Sequence, residues 1–173
     1  KTIPDERYRK LLAELHSIPE KIKDLLRSAD HIRKLAEKYK DARDALYLGR
    51  GYNFPIALEG ALKLKEISYI HAGGYPAAEM KHGPIALVDD NLPVLFVATR
   101  DAYHEKIISN IQEIKARKGK VIAIISEGDE TITGLADDVM PVPDADELLA
   151  PLLSVIPLQL FACYLVCRLL LEK

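Results

Sequence analysis

The chain has 173 residues, enough to bury a core of its own, and 49% of them are hydrophobic. Its 24 basic residues stand against 26 acidic ones, a net charge of −2, which excludes the basic groove of a nucleic-acid binder and a polybasic membrane face. Cys163 and Cys167, four apart in an apolar stretch, give neither a disulfide framework nor a metal-ligand spacing, so no metal or cofactor is expected.

Residues 1–40 form a helical lead-in rich in Lys and Glu. Leu11, Leu12 and Leu15, then Ile22, Leu25 and Leu26, then Ile32, Leu35 and Ala36 recur at helical spacing. Ile18-Pro19 is expected to interrupt the first helix, and Ser28-Ala29-Asp30 to separate the second from the third. This lead-in resembles a connector from something upstream. Its start is charged and has no apolar h-region, so no signal peptide is predicted and a reducing cytoplasm is the expected compartment.

Residues 41–173 are expected to form one α/β domain. Ala45-Leu46-Tyr47-Leu48 reads as a strand ending in Gly49-Arg50-Gly51, and a helix opens at Asn53, a candidate N-cap, with Pro55 in its first turn. Residues 93–98 are the next strand. A helix over residues 101–118 follows, with Ile107, Ile108, Ile111 and Ile114 inward and Gly119 as its C′ stop. Residues 121–125 are a strand apolar on both faces, 131–136 a short helical turn, 138–142 a fourth strand, and 147–172 a closing helix bent at Pro157.

Alternating strands and helices with apolar strands predict a doubly wound sandwich: a mainly parallel sheet flanked by helices. The ligand mouth of such a sheet lies beyond the strand C-termini, here at residues 49–53 and 98–101. A dinucleotide fingerprint is excluded, because position 54 is Phe54 where the third glycine belongs. Residues 148–171 are apolar for long enough to span a bilayer, but Pro151, Pro157, Gln159 and Arg168 favour a helix buried in protein.

The central stretch is 53–84. Ile56, Leu58, Ala61, Leu62, Leu64, Ile67 and Ile70 form a broad apolar band, and Glu59, Lys63 and Glu66 project from one stripe beside it. A Gly73-Gly74 break follows, then Glu79, Lys81 and His82 closing on Gly83-Pro84. Two carboxylates, a lysine and a histidine beside tight turns are what a proton-transfer site requires. The residues alone leave open a solvated helix face with an ordinary salt bridge and a loop histidine.

Leu48-Gly-Arg-Gly51, the run from Ala57 to His71 containing Glu-Gly-Ala-Leu-Lys-Leu-Lys-Glu, and Glu79-Met-Lys-His-Gly-Pro84 resemble the glucosamine-6-phosphate synthase family. Within it they resemble the second sugar isomerase (SIS) domain of the isomerase part, over most of residues 20–173. The resemblance implies conversion of fructose 6-phosphate and ammonia to glucosamine 6-phosphate. It implies Glu66 as the base moving a proton between the sugar's C1 and C2, Lys63 steadying its charge, and His82 assisting ring opening in the neighbouring subunit of a homodimer. Glu79 and Lys81 match the motif without an assigned role. The family's tail, with its Schiff-base lysine, is expected beyond Lys173, and its Ser/Thr-rich phosphate loop in a first isomerase domain. A glutaminase domain is also expected elsewhere in the parent chain, and the fragment alone is expected to be inactive. Another phosphosugar isomerase of the same fold, or a non-catalytic sugar-phosphate sensor, are the rival classes.

Overall fold

Five short segments form strands, and the connections between them return the chain to the same end each time. A computed structural model describes residues 3–27 and 29–171, with side chains through Cys167. The strands are β1 (Asp44–Gly49), β2 (His71–Pro76), β3 (Pro93–Ala98), β4 (Lys120–Ser126) and β5 (Asp138–Val142). They pair in the order β2-β1-β3-β4-β5, every neighbour parallel. The helices are α1 (Asp5–Arg27), α2 (Ala29–Lys38), α3 (Asn53–Ser68), α4 (His104–Ala116), the one-turn α5 (Glu130–Thr133) and α6 (Ala150–Leu171).

The period-2 pleat divides the core into two layers. Ala45, Tyr47, Leu95, Val97, Ile122 and Ile124 face α1, α2, α3 and α6. Leu46, Leu48, Val94, Phe96, Val121 and Ala123 face α4, α5 and the segment after β2. Helices thus cover both faces, and the doubly wound parallel sandwich expected from the strand pattern is present.

Several local expectations fail for identifiable reasons. β2 was not anticipated: Gly73-Gly74 reads as a break, yet at the sheet edge a strand tolerates glycine, and Gly74 lets Leu58 of α3 approach so closely that an added Cβ would sit 2.8 Å from its Cδ2. Pro19 does not interrupt α1, which is one helix of 23 residues. The proline forfeits one backbone hydrogen bond, but Ile18 and Leu25 are buried in the core shared with α6 and hold both halves in line. Ser28 lies outside the described residues, but α1 and α2 are distinct helices. Both join the core of the domain: Ile32, Leu35 and Ala36 of α2 are buried with α6, and Arg7 of α1 pairs with Asp146 through both terminal guanidinium nitrogens.

Gly119 is not the C′ residue of α4. Lys118 takes the left-handed conformation there, with φ 64°, and Gly119 donates to Ile114 O at 3.1 Å one position later, completing a Schellman turn. Gly119 is instead required by crowding: a Cβ would lie 2.6 Å from Ile114 Cγ2 and 2.7 Å from Val88 Cγ1. The closing helix is apolar enough to cross a membrane by length and composition, but here it packs on α2 and α3 and buries Leu153, Leu158, Phe161, Ala162 and Leu165.

Candidate functional site

α3 is wedged between β1, β2 and α6, which leaves only its outer side for chemistry. Ala57, Gly60, Ala61 and Leu64 are its buried residues besides Asn53. The apolar band is wider than the buried side, because Leu58 and Leu62 remain exposed. Glu59, Lys63 and Glu66 stand on the outer surface as their spacing predicts. Lys63 Nζ lies 2.8 Å from Glu66 Oε2 and 3.8 Å from Glu59 Oε1. The hydrogen bond from Lys63 to Glu66, and the charge of that carboxylate, raise the lysine above its ordinary value. At neutral pH Lys63 is therefore a cation, suited to steadying negative charge and to donating hydrogen bonds. The Glu66 side chain is 48% exposed, half freed from the protein and half held by Lys63.

His82 ends a 3-10 turn, Met80–His82, on the other face of the sheet. Its side chain is 76% exposed, and Glu79 Oε2 stands 3.9 Å from Nε2, beyond hydrogen-bond reach. Glu66 belongs to a helix packed on one layer of the core and His82 to a turn packed on the other. The structure therefore brings Lys63 and Glu66 together and leaves His82 apart from them in the same chain.

At the strand C-termini, where the sequence pattern places the ligand mouth, polar groups of the protein bond to one another. Asn53 does not cap α3. It is buried, accepts from Thr99 Oγ1 at 3.1 Å and donates to Asp101 Oδ2 at 3.2 Å, tying the loops after β1 and β3 together. Asp101 also accepts from Tyr103 N at 2.7 Å, and burial raises its carboxyl despite these hydrogen bonds. Gly51, at φ +50°, lies under the Tyr103 ring, whose Cε2 would be 2.7 Å from an added Cβ. Two surface cavities, of about 600 and 410 Å³, open instead at the strand N-termini, around Asp44, His71 and Leu92 and around Tyr39, Lys120 and Asp137. Neither is lined by Lys63, Glu66 or His82.

An open parallel sheet in the order β2-β1-β3-β4-β5, covered by helices on both faces, defines a doubly wound α/β domain. The chain belongs to the SIS domain family, whose pattern it matches over residues 38–168. It is 60% identical to a glutamine–fructose-6-phosphate aminotransferase (isomerizing) of Chlorobaculum tepidum, over 94% of this chain and 26% of that protein. A protein of the same name from Bacteroides thetaiotaomicron is 54% identical over 96% of this chain and 27% of its own length. The chain thus spans about a quarter of these relatives. The C-terminal domain of glucosamine-fructose-6-phosphate aminotransferase from Francisella tularensis superposes with a TM-score of 0.91 at 38% identity, covering 96% of this chain and 47% of that one. A Clostridium novyi protein assigned as a tagatose-6-phosphate ketose/aldose isomerase shares the fold, with a TM-score of 0.73 at 22% identity, over 91% of this chain and 44% of that one.

Proposed function

We propose that this chain is the second isomerase module of a glutamine–fructose-6-phosphate aminotransferase, working in the cytoplasm as part of a homodimer on fructose 6-phosphate. The observation that carries this is the Lys63–Glu66 pair at 2.8 Å on the open side of α3, joined to identities of 54–60% with the aminotransferases. In this reading Glu66 removes the proton from one sugar carbon and returns it to the neighbouring one. A single carboxylate on one face of a planar enolamine is sufficient, because the two carbons are adjacent and the proton never leaves that face. Lys63 compensates the carboxylate charge when the proton is away and donates to the sugar oxygen on which charge collects.

His82 serves ring opening, in the site of the neighbouring subunit. Its placement on the opposite face from Glu66 suits a residue given to a partner. The exposure of Glu66 suits a site whose remaining walls are supplied by other protein. Those walls would be the first isomerase domain of the parent chain, with its phosphate anchors, and the partner subunit. Ammonia would come from the glutaminase domain.

Mixed dimers test the shared site. Full-length chains carrying Glu66→Gln or His82→Ala are each expected to lose isomerisation by at least about a hundredfold. Co-expressed, they form hybrid dimers in which one of two sites holds both native groups, returning roughly a quarter of the wild-type rate in a random mixture. Hybrids as inactive as the parents place both residues in the same subunit's site. A Glu66→Gln enzyme with unchanged turnover overturns the catalytic reading.

A further inference from the structure

We propose that Lys81 and Glu113 form a positioning pair that fixes the direction in which His82 is offered to the neighbouring chain; this rests on the reading of His82 given above. Among the described residues the imidazole has no hydrogen-bond partner. It is largely exposed, and the charged group recorded near it, Glu79, is out of hydrogen-bond range. What aims it is the backbone of its turn, and that turn is held at three points. Met80 is fully buried in the second core layer. His82 N donates to Glu79 O at 3.0 Å, closing the turn. Lys81 Nζ then lies 2.8 Å from Glu113 Oε1 on α4.

Glu113 is a firm post. α4 is sewn into the core by Ile107, Ile111 and Ile114, all buried. The Glu113 side chain is only 27% exposed, and its second oxygen, Oε2, is buried without a hydrogen bond among the described residues. A carboxylate so covered needs a counter-charge, and the ammonium recorded beside it is that of Lys81. Support thus runs from the sheet to α4, through Glu113 to Lys81, and so to the adjacent histidine. Lys81 touches no reacting atom in this arrangement. It acts through His82, and a misplacement of about 1 Å at a group that must meet a sugar oxygen is worth up to a hundredfold in rate.

The test uses the full-length enzyme and five variants: Lys81→Met, Glu113→Gln, the exchange Lys81→Glu with Glu113→Lys, His82→Ala, and Lys81→Met on the His82→Ala background. Lys81→Met and Glu113→Gln are expected to lower kcat for glucosamine 6-phosphate roughly tenfold, leaving KM for fructose 6-phosphate within about twofold and glutamine hydrolysis unchanged. The exchange recovers most of the rate. On His82→Ala, Lys81→Met costs nothing further, because the residue it positions is gone. A wild-type rate for Lys81→Met with His82→Ala impaired removes the pair and leaves the site intact. Equal losses in both backgrounds show a general structural effect and overturn the proposal. An unimpaired His82→Ala enzyme sinks the reading of the site, and this inference with it.

Discussion

Gly60 sits in the middle of α3, where a glycine ordinarily weakens a helix, and its replacement weighs two opposed effects against each other. Alanine there would improve helix propensity by about 1 kcal/mol, chiefly because it reduces the entropy of the unfolded chain. But α3 crosses α6 and β1 at this residue. An added Cβ would lie 2.8 Å from Leu158 Cδ1, 2.9 Å from Tyr47 Cε1 and 3.0 Å from Tyr47 Cδ1. The Tyr47 ring is fully buried and Leu158 is enclosed in the same core, so neither can move without disturbing its neighbours. Overpacking of this kind costs roughly 1–3 kcal/mol. The packing cost exceeds the propensity gain, and Gly60→Ala is expected to destabilise the chain by about 1 kcal/mol, a fall in Tm of about 2–4 °C by thermal denaturation followed by circular dichroism. Leu158→Ala is the control. It opens space at the clash, so the double variant should be more stable than the sum of the two single losses by about 1 kcal/mol. A Tm that rises in Gly60→Ala, or strict additivity with Leu158→Ala, would refute the claim that close helix crossing is what requires this glycine.

Three other outcomes are expected. Among the described residues the buried Tyr47 hydroxyl has no hydrogen-bond partner, so Tyr47→Phe should stabilise by about 1 kcal/mol, read as a rise in urea midpoint with unchanged slope; a lower midpoint means the hydroxyl is satisfied in solution. Burial pulls the Asp146 carboxyl upward, but hydrogen bonds from Arg7 and Leu148 N outweigh it and hold the group below the usual carboxylate range. Its contribution is therefore present above the unfolded value near 3.9 and lost as pH falls through the lower folded value. The Tm gap between wild type and Asp146→Asn should accordingly be widest near neutrality and close below about pH 4; a gap that widens in acid contradicts the sign. The 173-residue chain alone, given fructose 6-phosphate and ammonia, should form no measurable glucosamine 6-phosphate. Appreciable product would mean that the reaction needs no protein beyond these residues.

The strand-and-helix alternation was legible in the chain because buried parallel strands are apolar on both faces, as β3 and β4 are. The Glu59, Lys63 and Glu66 stripe was legible for a related reason: helical spacing alone puts those three side chains on one side, and no distant contact is needed to do so. β2 was illegible because an edge strand is defined by its neighbour, and Gly73-Gly74 carries no pattern of its own. Asn53 looked like a cap because its type and position suit one, while its partners Thr99 and Asp101 arrive from a loop nearly fifty residues away. Glu113 carried no sequence signal at all, since its pairing with Lys81 exists only once α4 and the turn after β2 lie side by side.

Local order along this chain was thus written in short-range periodicity, where the physics acts within one or two turns. Which face carries Glu66, which carries His82, and which polar groups meet at the strand ends were decided by the sheet order. That order depends on contacts between residues far apart in the chain, and those contacts form only in the folded whole.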